Sequence, residues 1–583
     1  MKKMLSTALC ALLPLFAAAQ GWPENYSGVM LQGFYWDSYT DTNWSTLEDQ
    51  ADDMAPYIDL LWVPNSGYCG TMQNNMGYHP MYWFRHEGAF GTEATLRSMI
   101  QTFRQKGVGV IEDVVINHRV GVSNWVNFPA ETYNGVTYQL GLSDICRDDE
   151  CKDNGYNPTG AADTGEAWGY ARDLDHTSAN VQKNVTAYLN FLLNDLGYVG
   201  FRYDFVKGYA PKYTGQYNTV VQPQFSVGEC WDSNKTVVTT WLNGTKVDDK
   251  IQSAAFDFPM KYYINSAFSN SGSNWAELDK AALSNDATYA RYAVTFVDNH
   301  DTGRSASDGG APLYANVEAA NAFILTMPGT PCVWLSHWKS NKVAIKKLIL
   351  TRKAAGITNQ SAILSHSASS AGYVLSTRGT KGTLLLLLGS ATADTSGYQL
   401  AVEGTNYKLY ASAEVDLTAL NDVKEDEFTA PSFCTVAEGE TCAFFEAPTS
   451  WTTVSCWAWD SNGNYTGGSW PGVVCTKVGT RGNFNVWKWS WNGNYTGSTA
   501  SMPTQIIFNN NNNGQQTADL DFTNGAYYNS AGAKQGVVTG IRPATGGNEP
   551  TLNRSTAYDL GGRPVSDTRR GLRIANGKKT IVR

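Results

Sequence analysis

From about residue 29 to residue 335 the chain alternates short apolar, β-branched runs with longer stretches whose apolar positions recur every three or four residues. The short runs include V-M-L-Q-G-F, L-L-W-V, V-G-V-I-E-D-V-V, V-G-F-R-Y-D and Y-A-V-T-F-V-D, and residues 225–229, 254–258 and 332–335 add three more. Eight strands separated by helical text predict a closed (β/α)8 TIM barrel in the α/β class rather than an open doubly wound sheet. One helix is expected over residues 177–196, where Val181, Val185, Tyr188, Leu189 and Leu192 share a face.

The pattern breaks between residues 119 and 172 into Gly, Asn, Asp and Pro-rich text too long for an ordinary βα loop, which predicts a subdomain inserted into a catalytic barrel of residues 22–355. Helical text then stops. Alternating β text over 356–430, including the Leu384 to Leu388 run, predicts an all-β domain, and aromatic-rich text over 450–530 predicts another. In the second, N-G-N-Y-T-G occurs at Asn462 and again at Asn492, and the Asn509 to Asn513 run reads as a turn or loop.

Composition narrows the ligand. With 44 basic and 53 acidic residues the net charge of −9 repels phosphate backbones and anionic lipid, so nucleic acid is excluded and a neutral ligand fits. Lys2 and Lys3, a short apolar core interrupted by Pro14 and small residues at Ala17 to Ala19 read as a signal peptide over residues 1–19, hence a secreted product. No later stretch reaches the roughly 20 apolar residues of a transmembrane span. Beyond Cys10 the cysteines form close pairs at Cys146/Cys151, Cys434/Cys442 and Cys456/Cys475, which export allows to oxidise, while Cys69, Cys230 and Cys332 read as buried thiols. No zinc spacing occurs. Nothing implies an oligomer, and a monomer is assumed.

Barrel enzymes carry their chemistry at the C-terminal strand ends. Four such ends are polar: D-V-V-I-N-H (Asp113 to His118), G-F-R-Y-D-F-V-K (Gly200 to Lys207), V-G-E-C-W (Val227 to Trp231) and F-V-D-N-H-D (Phe296 to Asp301). Glycoside cleavage needs one ionised carboxylate and one protonated carboxyl, for which Asp204 and Glu229 are candidates. Arg202, two residues before Asp204 on the same strand face, would hold that carboxylate ionised. Asp301 and His300 could grip sugar hydroxyls, with His118 adding a hydrogen bond. Any one of these carboxylates alone reads more simply as a cap or ion pair; four matched strand ends do not.

The order and spacing of these segments resemble glycoside hydrolase family 13, the α-amylase family, in its plant-like style, through L-Q-G-F-Y-W-D-S, D-V-V-I-N-H-R, F-R-Y-D-F-V-K-G-Y and T-F-V-D-N-H-D-T-G. The resemblance implies retaining, internal hydrolysis of α-1,4 bonds in starch-like glucans. It makes Asp204 the nucleophile, Glu229 the general acid/base and Asp301 the third carboxylate. Tyr78 would stack under the sugar at the cleavage point, with His118, Arg202, Lys207 and His300 binding nearby and Trp231 on the leaving-group side. A retaining pair lies about 5 to 5.5 Å apart, and the two carboxyl groups should have split pKa values.

The insert ends in D-T-G-E-A-W-G-Y-A-R-D-L-D-H, bringing hard oxygen donors at Asp163, Asp173 and Asp175 near Asn117. By resemblance, Asn117, Asp163 and Asp173 hold Ca2+ through side chains and Glu166 and Gly208 through main-chain carbonyls, in a structural role. Others in the family carry His where Gly208 stands, a change that leaves a main-chain ligand available. Residues 452–528 resemble a starch-binding module of carbohydrate-binding family 26, with Trp457, Trp459 and Trp470 as a platform for glucose rings. Residues 540–583 resemble the C-terminal sorting domain of bacterial type IX secretion substrates. Two other readings remain: a non-catalytic starch-binding surface protein on a decayed scaffold, and a transglycosylase or branching enzyme using the same carboxylates.

Overall fold

The computed structural model describes residues 21–538, apart from 148–150, 153, 270–273, 425–429, 432, 449, 482–483, 512 and 531, together with the backbone of four short strands beyond residue 556. The expected signal peptide lies outside the described residues. The chain divides into two units, Met1–Glu425 and Asp426–Arg583.

The first unit is built on the expected barrel. Its strands are β1 (Met30–Gln32), β2 (Leu60–Val63), β3 (Gly109–Val114), β4 (Gly200–Tyr203), β5 (Phe225–Gly228), β6 (Ala254–Phe256), β7 (Ala293–Phe296) and β8 (Thr330–Trp334). Each pairs in parallel with the next, and β8 closes on β1 through Met30 opposite Cys332. The strands are apolar on both faces because one face fills the barrel and the other meets the helices. Gly200 is required where β4 approaches β5, since a Cβ there would lie 1.9 Å from the Phe225 carbonyl oxygen.

The helices follow their apolar spacing. Glu93–Gln105 buries Leu96, Met99, Ile100 and Phe103, and Thr92 caps it through the Thr95 N–H. The helix expected over 177–196 begins at Ala179, because the Ser178 hydroxyl accepts from Asn180 N and caps it. It runs to Phe191, continues as a wider turn over Leu192–Leu196 and stops at Gly197, whose φ is 88°.

The insert leaves and re-enters the barrel at one place, where His118–Arg119 pairs antiparallel with Arg172–Asp173. Buried Arg119 ties it down: its guanidinium contacts Glu131 at 3.0 Å and lies over the Trp83 ring at 4.3 Å. Behind the barrel, Ala362–Ala368, Gly372–Arg378, Thr383–Gly389, Tyr398–Gly404 and Tyr407–Ser412 form an antiparallel sheet in which the fifth strand lies between the third and fourth. The Leu384 to Leu388 run is its buried central strand.

The second unit holds a two-sheet sandwich. One sheet has five strands and includes Cys442–Pro448, Phe484–Ser490 and Ala526–Tyr528; the other has four and includes Ser455–Trp459 and Gln505–Asn509. Phe445 and Phe508 stack in its core, ring centroids 4.8 Å apart. The sandwich begins ahead of residue 450: the apolar run C-A-F-F-E-A-P is a central strand, although it lacks the tryptophans that mark the module in the sequence. The two N-G-N-Y-T-G copies lie side by side, with Tyr465 and Tyr495 rings 4.6 Å apart and both hydroxyls donating to Asp460. Further on, Ala557–Tyr558, Pro564–Val565, Gly571–Ala575 and Lys578–Val582 form a small antiparallel sheet. No helix among the described residues is long and apolar enough to cross a membrane.

Candidate active site

The register of three neighbouring strands builds the site. Asp113 on β3 is opposite Arg202 on β4, and Tyr203 is opposite Gly228 on β5, so the next residues, Asp204 and Glu229, emerge side by side at the strand ends. The ladder continues through both, with Asp204 N donating to the Val114 carbonyl at 2.9 Å and Glu229 N to the Tyr203 carbonyl at 3.0 Å. Adjacent strands lie about 4.8 Å apart, which sets the scale of this juxtaposition.

Arg202 is fully buried and joins three carboxylates. Its Nη1 contacts Asp113 Oδ1 at 2.6 Å and Asp204 Oδ1 at 2.7 Å, and its Nη2 contacts Glu229 Oε1 at 2.5 Å. Oδ2 of Asp204 makes no hydrogen bond among the described residues. Phe205 N donates to Glu229 Oε2 at 3.0 Å, a bond formed because Phe205 takes a left-handed turn with φ 43° immediately after Asp204.

The third predicted carboxylate stands beside this pair. Asp301 N and Thr302 N both donate to the Asn299 side chain, fixing the loop after β7, and His300 Nε2 lies 3.1 Å from Asp301 Oδ2. Gln32 Nε2 donates to His300 Nδ1 at 2.8 Å, which leaves the imidazole proton on Nε2, facing Tyr78 Oη at 2.6 Å and Asp301. Tyr78 in turn donates to Asp113 Oδ2 at 2.9 Å. The rings of Trp36, Tyr78 and His300 are nearly parallel, with interplanar angles of 10° or less.

Burial dominates the electrostatics. It pushes Glu229 well above the ordinary carboxylate range, with Asp204 and Asp301 adding to the rise and Arg202 opposing it. Burial likewise raises Asp301 against the pull of Arg202 and Arg304, and raises Asp113 to about 7. His300 is held well below its usual value by burial and by Arg202, so it is neutral.

The other predicted residues are more dispersed. His118 Nε2 bonds the Tyr78 carbonyl at 2.9 Å, and its ring stacks on Trp168. Trp231 is exposed, stacks on Phe258 and donates to the Tyr262 hydroxyl at 2.8 Å. Lys207 pairs with Glu166 at 2.8 Å and Asp232 at 3.5 Å. Asp113, Gln32 and Trp36 were not singled out by sequence reasoning. Asp113 carries a signal all the same, as one of two acids inside the otherwise apolar strand V-I-E-D-V-V.

Residues 67–337 match the family model of the α-amylase catalytic domain. "Probable alpha-amylase 2" of Arabidopsis thaliana is 30% identical over 403 residues, covering 66% of this chain and 93% of its own length. The chain belongs to the α-amylase family. It is a glycoside hydrolase, and its resemblance to that family extends to starch hydrolysis. Glucan 1,4-alpha-maltotetraohydrolase of Stutzerimonas stutzeri is 31% identical over 422 residues, 66% of this chain and 73% of that protein. A solved Anoxybacillus α-amylase covers 67% of this chain and 97% of its own at 16% identity and a TM-score of 0.48. Residues 443–522 match starch-binding module 26, so this family member carries a module for binding α-glucans.

The sandwich presents its predicted tryptophans outward. Along Ser455–Trp459, Cys456 and Ala458 are buried while Trp457 and Trp459 are half-exposed, and Trp470 lies 6.3 Å from Trp457, centroid to centroid.

At the foot of the insert, the predicted metal ligands converge. Asn117 Nδ2 donates to Asp173 Oδ1 at 2.9 Å, whereas Asn117 Oδ1 and Asp163 Oδ2 are buried without any hydrogen-bond partner. Gly208 presses against the same atom: a Cβ there would lie 2.2 Å from Asn117 Oδ1. Glu166 N donates to the Lys207 carbonyl at 2.9 Å, bringing its main chain alongside. Orphaned buried oxygens of this kind fit a hard cation. Among the described residues no group of three or more His, Cys, Asp or Glu side chains is placed to hold a metal ion.

Proposed function

We propose that this chain is a secreted α-amylase that cuts internal α-1,4 bonds of starch and related glucans with retention at the anomeric carbon. The observation that carries the reading is the single buried guanidinium of Arg202 gripping both Asp204 and Glu229 at adjacent strand ends. Direct attack would need these two carboxyl groups about 5 to 5.5 Å apart, with no room for a water between them.

In this reading Asp204 attacks the anomeric carbon as the bond to the leaving oxygen breaks, and protonated Glu229 delivers its proton to that oxygen. Water then attacks the glycosyl ester, returning a proton to Glu229 and releasing Asp204. Asp301 and His300 hold the hydroxyls of the distorted sugar, and Tyr78, fixed by Asp113 and His300, offers its ring as a floor. Trp457, Trp459 and Trp470 keep the enzyme near insoluble starch by mass action, without needing a tight single site. The C-terminal segment serves export by the type IX route.

Mixing the purified protein with amylose tests this: iodine colour should vanish while few reducing ends have formed, and newly released ends should appear by NMR as α-anomers before mutarotation. Persistent colour, β-anomers or no cleavage would overturn the reading.

Calcium belongs to the same proposal. Asn117, Asp163 and Asp173 would bind it with side-chain oxygens, and the Glu166 and Gly208 carbonyls would complete the set. The ion would supply a fixed charge clamping the insert to the barrel. Chelation should lower the melting temperature by about 5 °C or more, reversibly on calcium addition. Asn117→Ala should show the lowered value with or without chelator; a wild type indifferent to chelator would overturn the assignment.

A further inference from the structure

Two cysteines meet in the core of the sandwich, behind its outward tryptophans. Cys456 lies on the strand Ser455–Trp459, with which Val473–Val474 pairs antiparallel, Ser455 opposite Val474 and Cys456 opposite Val473. The ladder goes one residue further, with Cys475 N donating to the Val454 carbonyl at 2.8 Å. Cys475 is thus two residues beyond Val473, and by alternation its side chain shares a face with that of Cys456. That face is the core: both cysteines belong to the cluster around Phe445 and Phe508, Cys456 fully buried and Cys475 5% exposed, while Val474 turns out to solvent. The Cys475 thiol is within hydrogen-bonding reach of the Cys456 thiol, and burial together with this neighbour raises Cys456 well above the usual thiol value.

The segment between them carries the platform. Trp457, Trp459 and Trp470 all lie on it, as does the first N-G-N-Y-T-G copy. It returns onto its own start: a Cβ on Gly472 would lie 2.0 Å from the Cys456 carbonyl oxygen. Asn509 Nδ2 donates to the Pro471 carbonyl at 3.0 Å and holds that return against the neighbouring strand. Beyond Cys475 the chain passes from the four-stranded sheet into the five-stranded one as Thr476–Arg481. A covalent bond between the two sulfurs would close the platform's loop at the point where the chain changes sheets.

We propose that Cys456 and Cys475 form a disulfide that fixes the loop bearing the starch-binding tryptophans. The inference rests on the export reading above, because a reducing cytosol keeps such pairs as thiols. The oxidant is itself a disulfide, free or carried by a thiol oxidoreductase. One cysteine thiolate attacks a sulfur of that disulfide and expels its other half as a thiolate, and the second cysteine thiolate then displaces the remaining half from the mixed disulfide. Cys456 and Cys475 together give up two electrons and two protons, and the oxidant takes them up and leaves as two thiols. Since the closed core buries both sulfurs and keeps Cys456 protonated, the bond forms while the sandwich is still folding, and the finished core then shields it from reductant.

The test refolds the full-length chain from guanidinium in a mixture of oxidised and reduced glutathione and, in parallel, in dithiothreitol. Remaining thiols are alkylated in denaturant, and peptide mass spectrometry should find Cys456 joined to Cys475 in the first sample and both alkylated in the second. The oxidised protein should go on pelleting with raw starch granules to a temperature about 10 °C or more above that at which the reduced protein fails. Cys456→Ala/Cys475→Ala should fail at the reduced protein's temperature or below in either buffer. Both cysteines alkylated after glutathione, either one joined to a different cysteine, or equal failure temperatures for the oxidised and reduced protein overturns the inference. Export is read separately: a chain that keeps Met1 and stays inside its cells sinks that reading and leaves the glutathione result standing.

Discussion

Asp204→Asn is expected to reduce kcat/KM on soluble starch by on the order of 10⁴-fold or more, with the fold retained. The amide is close in shape to the carboxylate but cannot form the glycosyl ester, so the loss falls on the chemical step and not on substrate affinity. The fold should survive because Arg202 keeps two buried carboxyl partners, Asp113 at 2.6 Å and Glu229 at 2.5 Å, and its guanidinium is not left without partners. Melting temperature should therefore stay within about 2 °C of the wild type, and starch binding through the sandwich module should be unaltered. Residual activity above roughly one part in a thousand would place the nucleophile elsewhere, since loss of a mere positioning contact costs on the order of 10² to 10³. Asp113 is then the next carboxylate to examine, being the other acid on the same guanidinium.

Most of the barrel was legible because each strand is a short apolar run with its polar residues gathered at one end. The same feature exposed Asp204, Glu229, His300 and Asp301. Asp113 escaped because it sits within the apolar run, two residues before the segment's end, where its partner Arg202 is visible only through strand register. Gln32 and Trp36 escaped for a related reason: their value lies in contact with His300, which is 268 residues away from Gln32 in sequence. The start of the sandwich was missed because C-A-F-F-E-A-P looks like any buried strand, and only its pairing with Phe484–Ser490 assigns it to the module. The outward indoles of Trp457 and Trp459, by contrast, followed from simple alternation.

Glu229→Gln should cost about 10² to 10⁴-fold on starch, and the size of the loss should depend on the leaving group. Starch releases a poor alkoxide that needs a proton as the bond breaks, whereas a maltosyl fluoride leaves without one. The variant should accordingly approach wild-type rates of glycosyl-enzyme formation on the fluoride while remaining crippled on starch. The pH dependence follows from the raised pKa of Glu229, whose first cause is burial, with Asp204 and Asp301 adding to it. The acid works only when protonated, so wild-type kcat/KM should be sustained up to that raised value and fall as pH rises through it. In Glu229→Gln this alkaline fall should be absent, because the amide has no proton to lose. The same shift has a stability consequence of fixed sign. A carboxyl whose folded pKa exceeds its unfolded one favours the folded state below the unfolded value, and that contribution is lost as pH rises through the folded value. Between pH 5 and pH 9 the wild type should therefore lose more thermal stability than Glu229→Gln. Parallel stability curves, together with an alkaline limb that persists in the variant, would assign the proton to another group and leave Glu229 as a partner of Arg202 alone.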